Sequence, residues 1–337
     1  MSKDPVLTFT EKGIYCAAGD FYIDPWRPVD RALITHGHAD HARAGHQSYL
    51  ATHAALPVIR HRLSAINAQG VEFNETLTIG AAQVSFHPAG HVPGSAQIRV
   101  EVDGEIWVAS GDYKVEDDGL SECFEPVRCH HFITESTFGL PVFRWRSQDS
   151  IASDINSWWQ TCVDNGKTAF LGAYSLGKAQ RLLRMLNSEI GPIVTHGAVE
   201  ATNEVMRAQG IDLPETVKAP PDIDRKSFKG ALVVAPPSAL GSAWARKFGP
   251  QETAFASGWM QLRGIRRRRA GDRGFVISDH ADWSGLLSTI KETSAENIYV
   301  THGYTDIFAR YLTENGWNAQ VVPTEFRGDD NDNAEIP

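Results

Sequence analysis

Cysteine is scarce in this chain: four in 337 residues, at Cys16, Cys123, Cys129 and Cys162, with no CxxC pair among them. A disulfide scaffold is thereby excluded as the organising principle, and a reducing, cytoplasmic setting is expected. Long apolar runs are missing too. No stretch approaches the roughly 20 apolar residues that span a bilayer, and the Met1–Pro5 start has no apolar signal-peptide core. Positive charge is in deficit, with 32 Lys and Arg against 41 Asp and Glu, a net charge of −9. That balance argues against indiscriminate nucleic-acid binding but leaves room for a local basic groove. What remains is ordinary for a folded protein: 42% hydrophobic and 22% charged residues exclude wholesale disorder. At roughly 150 residues per domain, the length predicts about two domains.

The first 135 or so residues read as short strands with polar residues gathered just after their ends. Arg31–Thr35 is a compact apolar strand, and the cluster His36–His41 opens a helix-like segment. Residues 76–87 read as two strands split at Gly80-Ala81, and 96–110 as a hairpin around Asp103-Gly104. His130–Thr134 is a further strand. Ile151, Ile155, Trp158, Trp159 and Cys162 then recur at helical spacing behind a Ser150 cap. Strands at Thr168–Ala173, Pro192–His196, Ala231–Ala235 and Glu252–Ala256 interleave with helices at Lys178–Asn187 and Ala198–Gln209, the pattern of a parallel sheet covered on both faces. From Gly274 the first style returns: a strand at Phe275–Ser278, a helix near 284–293, a strand at Ile298–Thr301, a helix near 305–315 and a strand at Gln320–Val322. One domain thus interrupts another, and the Asp/Asn-rich end after Gly328 reads as a disordered tail.

The stretch His36-Gly-His38-Ala-Asp40-His41 puts three imidazoles and a carboxylate within six residues, directly after a strand. His36 and His38 can grip one ion from one side of a turn, with Asp40 and His41 facing a second. Nitrogen and carboxylate donors suit Zn²⁺ or Mn²⁺. One loop cannot complete two sites, so further ligands must come from elsewhere. His91, Asp112, His280 and His302 each follow a strand-like segment. Any one alone reads more readily as structural, but ligands at strand ends can converge on one rim.

Gly172-Ala-Tyr-Ser-Leu-Gly-Lys-Ala179 nearly spells a phosphate-binding loop between strand and helix. The Ser/Thr that would hold Mg²⁺ is Ala179, which disfavours an NTPase; the helix start, with Ser175 and Lys178, can still take a phosphate of a nucleic-acid strand. Arg263, Arg266, Arg267, Arg268 and Arg269 fall within seven residues. If that run is extended, about half its side chains face one groove, and Arg263, Arg266 and Arg268 are the candidate phosphate contacts. His46, His53, His61, His87, His130, His131 and His196 read as structural.

On the H-x-H-x-D-H stretch, together with Pro-Ala-Gly-His91, Ser-Gly-Asp112, Thr-Glu135-Ser, Ser-Asp-His280 and Val-Thr-His302-Gly in order, the sequence resembles the metallo-β-lactamase superfamily. Within it the likeness is to the β-CASP nucleases, and Gly19–Asp40 and Arg273–Trp283 look most like the DNA ligase-associated exonuclease branch. The resemblance implies an α/β fold: a metallo-β-lactamase αβ/βα sandwich at 1–137 and 273–327, an inserted α/β β-CASP cap domain at 138–272, and an acidic tail at 328–337. It implies two divalent ions, Zn first and Mn second. His36, His38 and His91 would hold one, Asp40, His41 and His302 the other, with Asp112 bridging and Asp24 orienting a ligand from behind. It implies hydrolysis of DNA phosphodiesters, with Asp40 in the catalytic set, His280 as general acid and Glu135 orienting it; Asp282 either supports His280 or caps a helix. Ser238 resembles the family position near a terminal phosphate. A DNA ligase and a helicase are the implied associates, and no membrane is involved. DNA-specific family members carry Val where His302 stands and RNA-processing members carry His, so an RNA-processing or RNA-degrading ribonuclease is the alternative. A small-molecule hydrolase or a dead scaffold fits less well, since the interrupting segment, Glu135, His280 and every ligand are present.

Overall fold

The computed structural model describes residues 5–220, 228–269 and 271–325; the expected tail at 328–337 lies outside them. The chain divides into two compact units: the part up to Arg144 with the part from Asp279 onward, and Trp145–Ser278.

Two sheets build the first unit. One runs Thr8–Thr10, Gly13–Cys16, Phe21–Ile23, Arg31–Leu33, Ser48–Thr52, Ala68–Val71 in spatial order, antiparallel across its first three strands and parallel beyond. The other runs Asn318–Val321, Asn297–Thr301, His131–Glu135, Glu105–Ala109, Ala96–Val102, Ala82–Pro88, Thr76–Ile79, parallel at the first four and antiparallel at the last four. Strand alternation turns Ile14, Ile23 and Leu33 of one sheet onto Val84, Phe86, Ile98, Val100 and Trp107 of the other. Each large side chain buried there stabilises by about 1.5–3 kcal/mol. The outer faces are covered by helices. Leu56 and Ile59 of Leu56–Leu63 pack on Ala32, Tyr49 and Ala51. Trp283, Leu286 and Ile290 of Trp283–Thr293, and Phe308 and Leu312 of Thr305–Glu314, pack on Val108, Phe132, Ile298 and Val300. The layers are therefore α, β, β, α. Asp282 is the cap of its helix, accepting from the Gly285 N–H at 2.8 Å.

The second unit holds an all-parallel sheet in the order Val217–Lys218, Ile193–Thr195, Leu232–Ala235, Thr168–Gly172, Gln251–Ala256, Arg273–Phe275. Ala169, Leu171, Leu232 and Val234 face helices Gln148–Asp164 and Lys178–Met185, whereas Phe170, Val233 and Ala235 face Phe228, Ala245 and Phe248. Among the described residues no helix is long and apolar enough to cross a membrane.

Four local expectations are corrected. His36–His41 is no helix: it makes one turn, with Ala42 N–H on the His38 carbonyl at 2.8 Å. Guanidiniums take the carbonyls a longer helix would use, Arg43 on Asp40 O at 3.2 Å and Arg62 on Gly37 O at 2.7 Å. Ser147, not Ser150, caps Gln148–Asp164, because its side chain accepts from the Ser150 N–H. The strand expected at Phe275–Ser278 is Arg273–Phe275, three residues that complete the sheet edge beside Gln251–Ala256. That pairing leaves no edge for the arginine run, which instead forms helix Arg263–Arg269, a conformation arginine favours.

Candidate metal centre

Strand ends of both sheets in the first unit deliver the predicted ligands to one rim. His36, His38, Asp40 and His41 follow Arg31–Leu33, His91 follows Ala82–Pro88, Asp112 follows Glu105–Ala109, and His302 follows Asn297–Thr301. Asp112 Oδ2 lies 3.6 Å from His36 Nε2, 3.9 Å from His91 Nε2 and 3.4 Å from His41 Nε2. His38 Nδ1 is 3.2 Å from His36 Nε2 and 3.0 Å from His91 Nε2. Asp40 Oδ2 lies 3.8 Å from both His41 Nε2 and His302 Nε2. Two groups result, His36–His38–His91–Asp112 and Asp40–His41–His302, each able to hold a metal ion, and a third, Asp112–Glu135–His280, touches them. Every member except Asp40 is buried.

These atoms fit a metal. Donors 2.0–2.1 Å from one tetrahedral ion stand about 3.3 Å apart, close to the separations above. Asp112 Oδ1 is buried with no hydrogen-bond partner among the described residues, a costly state for a carboxylate unless something cationic faces it. Burial, with the charges at His41 and His91 next, holds His36 well below the ordinary imidazole range. Burial, with His280 and His38 next, brings His91 to about 3. Both rings are thus neutral at pH 7 and offer lone pairs, as ligands must. Burial opposes the charge on Asp112, yet His41 and His302 keep it well below the usual carboxylate range. For His41, burial is likewise outweighed, by Asp112, Asp40 and Asp24, which raise it well above its ordinary value.

The ring orientations are fixed from behind. His91 Nδ1–H donates to the Asp279 carbonyl at 2.8 Å, and His41 Nδ1–H to Asp24 Oδ2 at 2.7 Å. Asp24 has φ +42° and His302 φ +54°, left-handed conformations that re-aim the side chain at a strand end. Ser136 Oγ holds the turn at His302, donating to the carbonyls of Thr301 and His302. Beside the ligands, His280 Nδ1 sits 2.8 and 3.0 Å from the two oxygens of Glu135. The Tyr113 N–H, donating to Glu135 Oε1 at 2.8 Å, fixes that carboxylate.

No family model matches the chain. Among curated proteins, a "Probable DNA ligase" of Opitutus terrae is 30% identical over 324 residues, 95% of this chain and 31% of that protein. "Endoribonuclease YSH1" of Gibberella zeae is 28% identical over 51% of this chain and 20% of its own length. "RNase J-like protein" of Methanocaldococcus jannaschii is 23% identical over 51% and 48%. This chain belongs to the β-CASP branch of the metallo-β-lactamase superfamily. It spans between a fifth and a half of the length of those relatives. A protein of unknown function from Enterococcus faecalis V583 shares the fold, with a TM-score of 0.57, 10% identity, and coverage of 88% of this chain and 80% of that one.

The other site candidates of this β-CASP chain lie in its second unit. Ser175 and Lys178 are buried, and the Lys178 ammonium sits 4.7 Å from the centre of the Tyr174 ring. The turn they occupy is tied by Gln180, which accepts from the Gly177 N–H at 2.8 Å and donates to Ser175 O at 2.9 Å. Ser238 is exposed in the short helix Pro237–Ala239. Helical spacing puts Arg263, Arg266 and Arg267 within a sector of about 100° and turns Arg268 away from it, so the grouping expected for an extended run is revised. Of the histidines read as structural, His46 is buried with neither ring nitrogen hydrogen-bonded among the described residues, and burial lowers it to about 4. Four supports escaped the sequence reading: the Asp279 carbonyl, the Tyr113 N–H, Ser136 and Thr35, whose Oγ1 lies 3.0 Å from His36 Nδ1. Two of them had a side-chain signal, Thr35 standing directly before His36 and Ser136 directly after Glu135.

Proposed function

We propose that the chain is a two-metal nuclease that hydrolyses DNA phosphodiester bonds, an exonuclease acting on single-stranded or end-processed DNA in repair. The observation that carries this reading is the pair of His/Asp groups meeting at Asp112, with the His280–Glu135 pair beside them. A nitrogen-rich donor set suits Zn²⁺ first and Mn²⁺ second. Bound, two such ions would supply Lewis-acid activation of water and offset charge growing on the phosphoryl oxygens. His36, His38 and His91 would hold one, and Asp40, His41 and His302 the other, with Asp112 between them. His280 donates the proton that the leaving sugar oxygen needs, and Glu135 keeps its ring aimed and charged. The relative named as a ligase supports DNA as substrate and a ligase as an associate; a helicase is the other associate in this reading. The buried free thiols Cys16, Cys129 and Cys162 suit a cytoplasmic setting.

The second reading is an RNA-processing ribonuclease, favoured by His302 and by the relatives named as RNases. Matched 5′- and 3′-labelled DNA and RNA strands, offered with Zn²⁺, Mn²⁺ or chelator, separate the two. Stepwise shortening of DNA from one end, abolished by chelator, is the expected result. Cleavage of RNA with DNA spared exchanges the readings, and full activity in chelator removes both.

Ser175, Lys178 and Ser238 belong to this reading as contacts for a strand phosphate, and Arg263, Arg266 and Arg267 as a backbone track. No ion pair neutralises these three arginines among the described residues. Each phosphate contact contributes about 0.7 to the slope of log affinity against log salt for a single strand. Changing all three to Gln is expected to flatten that slope by up to about 2 and to leave turnover at saturation unchanged. An unaltered slope, read by fluorescence anisotropy across a salt series, rejects the track.

A further inference from the structure

Thr35 sits between the last residues of strand Arg31–Leu33 and the first ligand, and its side chain touches the supports of both ion-binding groups. Its hydroxyl proton has one destination: Oγ1 lies 2.5 Å from Asp24 Oδ2, an oxygen that can only accept. With that proton committed, the His36 Nδ1 that lies 3.0 Å from the same Oγ1 must be the donor. His36 therefore carries its hydrogen on Nδ1 and turns the lone pair of Nε2 towards His38 and Asp112. The same Asp24 Oδ2 accepts from His41 Nδ1–H, which frees Nε2 of His41 for the other group. Asp24 Oδ1 takes the Thr35 N–H at 2.8 Å, so carboxylate and threonine are locked to one another by two bonds. Asp24, Thr35, His36 and His41 are all buried, so no solvent competes for these bonds.

A third contact reaches the shared ligand. Gly111, at φ +56°, is packed so tightly on Thr35 that a Cβ there would lie 2.7 Å from Thr35 Cβ and Oγ1. Asp112 is the next residue. The threonine side chain thus sets the ring of His36 directly, the ring of His41 through Asp24, and the backbone leading to Asp112 by contact. We infer that Thr35 is a positioning residue that holds both halves of the ion pair's cage in register through the single carboxylate of Asp24. This rests on the two-ion reading above. A ligand imidazole whose rear hydrogen bond is removed typically loses 10–100-fold in metal affinity. Because the hydroxyl serves one ligand in each group, its loss weakens both ions rather than one.

The test compares Thr35→Val, which keeps the shape and removes the hydroxyl, with Thr35→Ser, which keeps the hydroxyl. Zn²⁺ is titrated against a chromogenic chelator competitor, and bound ions per chain are counted by mass spectrometry. Thr35→Val is expected to weaken both binding steps by about 10–100-fold, and Thr35→Ser to stay close to wild type. In a double-mutant cycle, Thr35→Val on an Asp24→Asn background is expected to cost little more, since both changes cut one chain of bonds. If Thr35→Val fails to fold, Thr35→Ala, which adds no bulk, is read in the same way. Unchanged affinity in Thr35→Val, loss of one ion with the other held at wild-type strength, penalties that add in the cycle, or a drop only in the melting temperature of the metal-free protein overturns the inference. A wild-type chain that binds no divalent ion sinks the two-ion reading itself, which keeps the two failures apart.

Discussion

Asp112→Ala is expected to leave a folded protein that binds at most one ion weakly and has lost phosphodiester hydrolysis by about 10³-fold or more, about 4 kcal/mol of barrier. The carboxylate reaches the ion-facing nitrogens of imidazoles from both candidate sets, 3.6 Å from His36 Nε2 and 3.4 Å from His41 Nε2. Its removal leaves the raised His41 facing only Asp40 and Asp24, and leaves His36 and His91 as neutral donors with no anion between them. Asp112→Asn is expected to behave similarly, because the amide keeps the shape but not the charge. Ion content by mass spectrometry and single-turnover cleavage of an end-labelled strand check both. A variant that retains two ions and wild-type cleavage would show that the shared position is not needed.

The second large effect is at His280. His280→Ala is expected to lower turnover on natural strands by about 10²–10⁴-fold while two ions remain bound. A phosphodiester with a nitrophenolate leaving group needs no proton on departure, so the same variant should cleave it within a few-fold of wild type. Glu135→Gln is expected to follow the same pattern with a smaller loss, because the amide can still accept the bond from His280 Nδ1 but no longer favours the charged ring. Since Asp112, Glu135 and His280 themselves form a group able to take a metal, ion counting decides between roles. Loss of an ion in His280→Ala would make it a ligand and not an acid.

Much of this was readable without coordinates because the chemistry is concentrated. His36 to His41 is dense enough to stand out, and His91, Asp112 and His302, the remaining candidate ligands, each stand within three residues of a strand end. The parallel sheet was legible because Ala169–Leu171 and Leu232–Ala235 are apolar on both faces. The errors arose where a tertiary partner overrode local preference. Arg43 and Arg62 capture carbonyls and stop the turn after His36 from growing into a helix. Arg273–Phe275 occupies the sheet edge and leaves the arginine run to coil. The supports behind the rings were hidden for a different reason. The Asp279 carbonyl and the Tyr113 N–H are backbone groups, present at nearly every position and unmarked by residue type.

The conformation of His302 carries a consequence for how this site could drift. At φ +54° the residue occupies a region that costs an ordinary L-residue about 1–2 kcal/mol and that a β-branched side chain enters only as an outlier. The following Gly303, at φ +73°, passes so close to Ser136 O that a Cβ would come within 2.4 Å of it, so the neighbour cannot relieve the strain by rotating. Exchanging this imidazole for valine is therefore not a change of one letter. A valine there would give up the imidazole and also strain the bend that Ser136 latches, so backbone and candidate metal site would change together.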